Sequence, residues 1–105
     1  MVIIETPIFT KLIKELMSDD EYKDLQEALV NRPDRGSLIK NSGGLRKIRW
    51  ALEGRGKSGG ARVIYYWMTD SDQLYMLWAY PKNVQDNLTD IQLKALKKIV
   101  ERWSE

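Results

Sequence analysis

The sequence predicts an α+β domain in the order β-α-α-β-β-β-α: a small antiparallel sheet with an N-terminal helical hairpin and a C-terminal helix. Three observations carry this. Two segments begin with a hydroxyl residue followed three positions later by a glutamate or glutamine (Ser18 to Glu21, Thr89 to Gln92), the reciprocal pattern that opens helices. Residues 45–52, 61–68 and 74–80 are dense in branched and aromatic side chains, as strands are. No repeat, linker or low-complexity tract breaks the 105 residues, a length that supports one core, so residues 1–105 read as a single domain.

Each element follows from local chemistry. Residues 2–4 are a short apolar strand. Thr6 and Pro7 supply an N-cap and a proline at the first helical position, where a missing N–H costs little. Phe9, Leu12, Ile13 and Leu16 then recur at helical spacing as one apolar stripe. Ser18 opens the second helix, with Met17 and Tyr22 placed to staple it, Tyr22, Leu25, Ala28 and Leu29 as its buried face, and Pro33 to stop it. Residues 33–44 form a polar loop. A tight turn at 69–72 makes the three strands a meander, and Leu93, Leu96, Val100 and Trp103 form the stripe of the last helix.

Composition narrows the chemistry. With 43% hydrophobic residues the chain is globular. Cysteine and histidine are both absent, which removes disulfides, thiolate nucleophiles, Cys-type zinc sites and the commonest general base. No apolar run approaches the roughly 20 residues that cross a bilayer, and the N-terminus lacks a signal-peptide pattern, so a cytoplasmic protein without membrane contact is expected. No cofactor and no metal are expected.

Charge is the informative feature. Residues 44–64 hold six of the 17 cations (Arg46, Lys47, Arg49, Arg55, Lys57 and Arg62) and one of the 15 acids, Glu53. A net charge of +2 therefore conceals a basic hairpin set against an acidic remainder, the footprint of a protein that grips a polyanion. Arg62 shares a sheet face with Ile64 and Tyr66 by two-residue alternation, so a rigid strand aims its guanidinium. A bidentate cation held this way suits a phosphoryl displacement, where negative charge builds on non-bridging oxygens. Tyr65, Tyr66, Trp67, Trp78 and Tyr80 offer faces on which unpaired bases could stack, or else serve the core. These residues alone lead to a domain that binds single-stranded RNA or the ribosome.

Several motifs lack their context. Residues 54–59 fit G-x-G-x-x-G, but a strand follows where a dinucleotide site needs a helix. Residues 51–58 miss a Walker A pattern because Ala51 replaces its first glycine. A kinase glycine loop would lie between strands, but the H-R-D and D-F-G segments of kinases are missing. Asp70, Asp72, Asp86 and Asp90 sit at turn and cap positions where aspartate is ordinary, not in a metal cluster.

The segments GGLRKIRWA, GRGKSGGARVIYYW, LWAYPKN and LTDIQ resemble the RelE/HigB superfamily of type II toxin–antitoxin toxins, closest to its HigB-like branch. The likeness is strongest over residues 43–92. It implies a microbial-RNase-like fold that enters the A site of the 30S ribosomal subunit and cuts mRNA without a metal. It implies a cognate antitoxin of helix-turn-helix, HigA-like type, with DNA contacted only indirectly through that antitoxin. Residue by residue, the resemblance places the family's strand arginine on Arg62, its basic hairpin positions on Arg55 and Lys57 and its post-strand basic position on Lys82, and Tyr65-Tyr66 fits its aromatic pair. With no histidine, proton transfer falls to Lys57, Lys82 or Tyr80, so the expected catalytic residues are Arg62, Lys57, Lys82 and Tyr80. The expected RNA-binding residues are Arg55, Tyr65 and Tyr66, with Arg46, Lys47 and Arg49 as a solvated or phosphate-positioning face. Val84 and Gln85 depart from the acid that relatives place after the Lys-Asn pair, and no tyrosine follows Tyr80 to act as a C-terminal base. A non-catalytic translation inhibitor, a ParE-like toxin directed at gyrase and a regulator that has lost activity are the alternative readings.

Overall fold

The computed structural model describes residues 1–52 and 60–103. The elements are β1 (Val2–Glu5), α1 (Pro7–Leu16), α2 (Asp19–Asn31), β2 (Ser37–Leu38), β3 (Leu45–Trp50), β4 (Ala61–Met68), β5 (Gln73–Pro81) and α3 (Asp90–Trp103). The sheet order is β1-β5-β4-β3-β2. The predicted meander is present as β3-β4-β5, but the sheet is mixed, because β1 lies parallel to β5. The reason is connectivity. β1 leaves through two helices to the far edge of the sheet at β2, and the chain comes back beside it only as β5, the last strand of the meander, which runs in the direction of β1. A second addition is β2, two residues of the polar loop that pair with Arg46 and Lys47.

The helix starts form as their residues dictate. The Thr6 hydroxyl accepts from the Phe9 N–H at 3.0 Å and donates to the Leu77 carbonyl at 3.1 Å, so one side chain caps α1 and ties it to β5. Ser18 and Glu21 close a reciprocal capping box at α2, and Thr89 and Gln92 close another at α3. Glu5, at the end of β1, accepts from Thr10 at 2.6 Å and from Tyr22 at 2.5 Å, clasping both helices to the edge strand. Burial, then the neighbouring Glu5 carboxylate, pushes the Tyr22 phenol far above its ordinary pKa.

Each sheet face carries its own core. On one, α1 and α2 bring Phe9, Ile13, Leu25 and Leu29 against Val63, Tyr65 and Met76. On the other, α3 packs Leu96 and Val100 against Leu45, Ile64 and Leu77. Between β4 and β5 the register shifts by one residue: Tyr65 lies opposite Met76, but Ile64 lies opposite Trp78. Leu77 is the bulged residue, and its consequence is positional. Beyond the bulge Arg62 faces Tyr80, where an unbroken register would have set it opposite Ala79.

Tyr65 corrects one expectation. Its ring is fully buried, so no base can stack on it. The phenol accepts from the Gly36 N–H at 2.8 Å and donates to the Pro33 carbonyl at 2.7 Å, pinning the loop that follows α2. The fit is close, since a Cβ at Gly36 would meet Tyr65 Cε1 at 2.7 Å. Tyr65→Phe leaves the buried Gly36 N–H without its acceptor, at a cost of about 1–3 kcal/mol. The expected result is a lower urea midpoint with an unchanged m-value; an unshifted midpoint would show that this anchor carries no stability.

Candidate functional site

The site grows from one row of side chains across three strands. Arg49 on β3, Arg62 on β4 and Tyr80 on β5 are consecutive cross-strand partners, so all three project from the same face. Lys47 lies two residues from Arg49 on β3 and shares that face. This end of the face lies against residues 82–89. Asp86 Oδ1 accepts from Arg62 Nε at 3.1 Å and from Nη2 at 3.0 Å, and Arg62 Nη1 donates back to the Ala61 carbonyl at 3.3 Å. The Asp86 carbonyl accepts from the Tyr80 hydroxyl at 3.2 Å and from Lys47 Nζ at 3.3 Å, and Lys47 also donates to Asn87 Oδ1 at 2.6 Å.

The electrostatics follow from this crowding. The Arg62 side chain is only 6% exposed and sits directly opposite another arginine, so its charge is both poorly solvated and repelled. Asp86 relieves both. In return the Arg62 hydrogen bond, with the Arg62, Lys47 and Arg49 charges, holds the Asp86 carboxyl below its ordinary pKa. Burial, then repulsion from Arg49 and Arg62, lowers the pKa of the Lys47 ammonium, which Asp86 partly opposes. Burial raises the Tyr80 phenol, so it stays protonated and donates.

Two hollows meet at Arg49. One, of about 320 Å³, is lined by Arg49, Trp50, Ala51, Gly60, Arg62 and Lys82. The other, of about 480 Å³, lies between β2, β3 and Asn87, with Lys40, Lys47 and Arg49 on its walls. Sharing Arg49, they make a cationic track from Lys40 to Lys82. Among the described residues no group of acidic side chains gathers to hold a metal, and no helix is long and apolar enough to cross a membrane.

The structure thus joins Arg62, Tyr80, Lys82, Lys47 and Arg49. It separates others. Arg46 points to the opposite face, where Nη1 donates to the Asp34 and Gly36 carbonyls, so it holds the same loop as Tyr65 and cannot join this track. Tyr66 shares the face of Arg62 but packs into the α3 core, two pleats away. Arg55 and Lys57 lie outside the described residues. Asp86 and Asn87 were absent from the expected site. Asp86 reads as a turn residue because nothing near it in sequence shows that a basic strand 24 residues earlier needs a counter-charge.

Fold and site together define a small α+β domain with a buried arginine in a cationic track. The family model for the RelE toxin of the RelE/RelB toxin–antitoxin system matches residues 1–105. The chain belongs to this RelE toxin family and is the toxin of a toxin–antitoxin pair, with an antitoxin as partner. Its fold is similar to that of the E. coli toxin RelE, solved in the free state as an arginine-to-alanine double mutant. That match has a TM-score of 0.60 at 13% identity and covers 96% of this chain and 95% of the other.

The Asp86 shift has a definite sign. Its folded pKa lies below the ordinary 3.8, so the pair with Arg62 adds stability that is complete above 3.8 and is lost as the pH falls through the folded value. Urea melts of wild type and Asp86→Asn should therefore differ most at neutral pH and converge on acidification. A gap that is constant or widens in acid would contradict the ion pair.

Proposed function

We propose that this toxin is a ribosome-dependent, metal-independent endoribonuclease that cleaves mRNA in the A site of the 30S subunit and arrests translation. The observation that carries the reading is Arg62: a strand-held guanidinium, flanked by Arg49 and Lys82, at the floor of a cationic hollow. The RNA 2′-hydroxyl oxygen attacks the adjacent phosphorus, and its proton passes to a base. The bond from phosphorus to the 5′-oxygen breaks, and that oxygen takes a proton. The products are a 2′,3′-cyclic phosphate and a 5′-hydroxyl.

Arg62 stabilises the charge that builds on the non-bridging oxygens, and Arg49, Lys82, Arg55 and Lys57 orient and neutralise the phosphate. Tyr80, kept protonated by its surroundings, fits a proton donor better than a base. Among the lysines, Lys47 joins Lys57 and Lys82 as a candidate acceptor, because its depressed pKa brings more neutral amine within reach at neutral pH. This equipment is modest without histidine. The ribosome supplies the rest by holding the mRNA in line for attack, so free RNA is cut slowly. The antitoxin, of HigA-like helix-turn-helix type, neutralises the toxin and carries any contact with DNA. The site of action is the cytoplasm.

Arg62→Ala is expected to lower A-site cleavage by about 10²–10³-fold while leaving the fold intact. Mapping mRNA 5′ ends after induction reads this directly: new ends in wild type and few in the variant. Undiminished cleavage would remove Arg62 from the mechanism, and growth arrest without new ends would favour a steric inhibitor. The track also has a salt signature. Lys82→Ala should reduce the slope of log affinity for single-stranded RNA against log salt by about 0.7, one phosphate contact. An unchanged slope would place the RNA elsewhere.

A further inference from the structure

We propose that Asp86 occupies the seat of the scissile phosphate, and that RNA enters by exchanging a phosphate oxygen for the Asp86 carboxylate on Arg62. The identity of the incoming anion rests on the RNA-cleaving reading above; the exchange itself rests on four observations. First, one oxygen, Asp86 Oδ1, takes both Nε and Nη2 of Arg62, the edge with which arginine grips phosphate in bidentate fashion. Second, among the described residues the third nitrogen is already engaged. Nη1 turns inward to the Ala61 carbonyl, and the side chain as a whole is 6% exposed.

Third, the carboxylate can leave without unfolding anything. The Asp86 side chain is 52% exposed, and Tyr80 and Lys47 hold its backbone carbonyl. A rotation about its own side-chain bonds carries the carboxylate into water while the segment stays anchored. Fourth, the seat cannot stand empty at low cost. Arg62 is buried directly opposite Arg49, with Lys47 beside it, so an anion is needed whether or not RNA is present. Carboxylate and phosphate oxygens present the same acceptor geometry to a guanidinium edge, which makes one a fair substitute for the other. Asp86 therefore holds Arg62 in its working rotamer at rest and competes with weakly presented RNA. Only a strand delivered in the right position displaces it.

The test is a binding measurement on the full chain with an uncleavable probe, a 2′-O-methyl trinucleotide, followed through the ¹⁵N-edited Nε–H resonance of Arg62. Asp86→Asn keeps the shape and removes the charge. It should tighten probe binding by about tenfold, the gap between a charge-assisted hydrogen bond and a neutral one. The Arg62 Nε–H resonance should move on binding in both proteins. Asp86→Asn combined with Arg62→Lys should lose the gain, because lysine lacks the bidentate edge. Equal or weaker binding by Asp86→Asn, or an Arg62 Nε–H signal indifferent to the probe, would overturn the exchange. No ribosome enters this assay. Tighter binding without mRNA cleavage on ribosomes would sink the proposed function alone, and cleavage with unchanged affinity would sink this inference alone.

Discussion

A buried guanidinium facing a second arginine across a β-ladder is an unstable arrangement unless an anion sits between them and solvent. Like charges directly opposite on one sheet face repel, and burial strengthens the repulsion. In this toxin the anion is Asp86, and much of the surrounding architecture serves to bring it there. The bulge at Leu77 turns Tyr80 onto the face of Arg62, Tyr80 and Lys47 hold the Asp86 carbonyl, and the second capping box begins α3 immediately beyond. Without these fixed points residues 82–89 would have no reason to lie over the cationic row. The site is therefore a property of three strands and one segment together, not of a motif.

That dependence explains which parts were legible from residue order. Helix starts were, because a cap is local: Thr6, Ser18 and Thr89 each bond a group three residues on. The meander was legible for a similar reason, since runs of β-branched and aromatic residues separated by turn signals report their own structure. The parallel pairing of β1 with β5 was not. It depends on where a long connection returns the chain, which no residue in Val2–Glu5 encodes. The bulge escaped as well, because Leu77 and Trp78 look like any two residues of an apolar strand.

The basic hairpin shows how parity sorts a charge cluster. Arg46, Lys47 and Arg49 read as one patch in sequence, yet alternation sends Arg46 to the α1–α2 face and the other two to the face of Arg62. On its side Arg46 donates to two carbonyls of the loop that Tyr65 also pins. A positive charge near a basic segment is thus no guide to RNA contact until its face is known. Tyr65 and Tyr66 divide the same way, the first sealed in one core and the second half-buried against the other. Resemblance identified the family from these same residues, but it could not tell a side chain that touches ligand from one that holds a loop.

The absence of histidine sharpens what the remaining groups must do. A proton acceptor is needed near neutral pH, and an unperturbed lysine or tyrosine titrates well above it. The row around Arg62 perturbs its neighbours in opposite senses. Burial and two arginines favour the neutral form of Lys47, while burial favours the neutral form of Tyr80. For an amine the neutral form is the base; for a phenol it is the acid. Burial therefore prepares an acceptor and a donor together, while the positive charge assists the first and, through Arg62, opposes the second. Asp86 moderates this, because its carboxylate stabilises the charged Lys47. Displacing that carboxylate with a phosphate ester exchanges one negative neighbour for another, so Lys47 keeps much of that compensation when RNA binds.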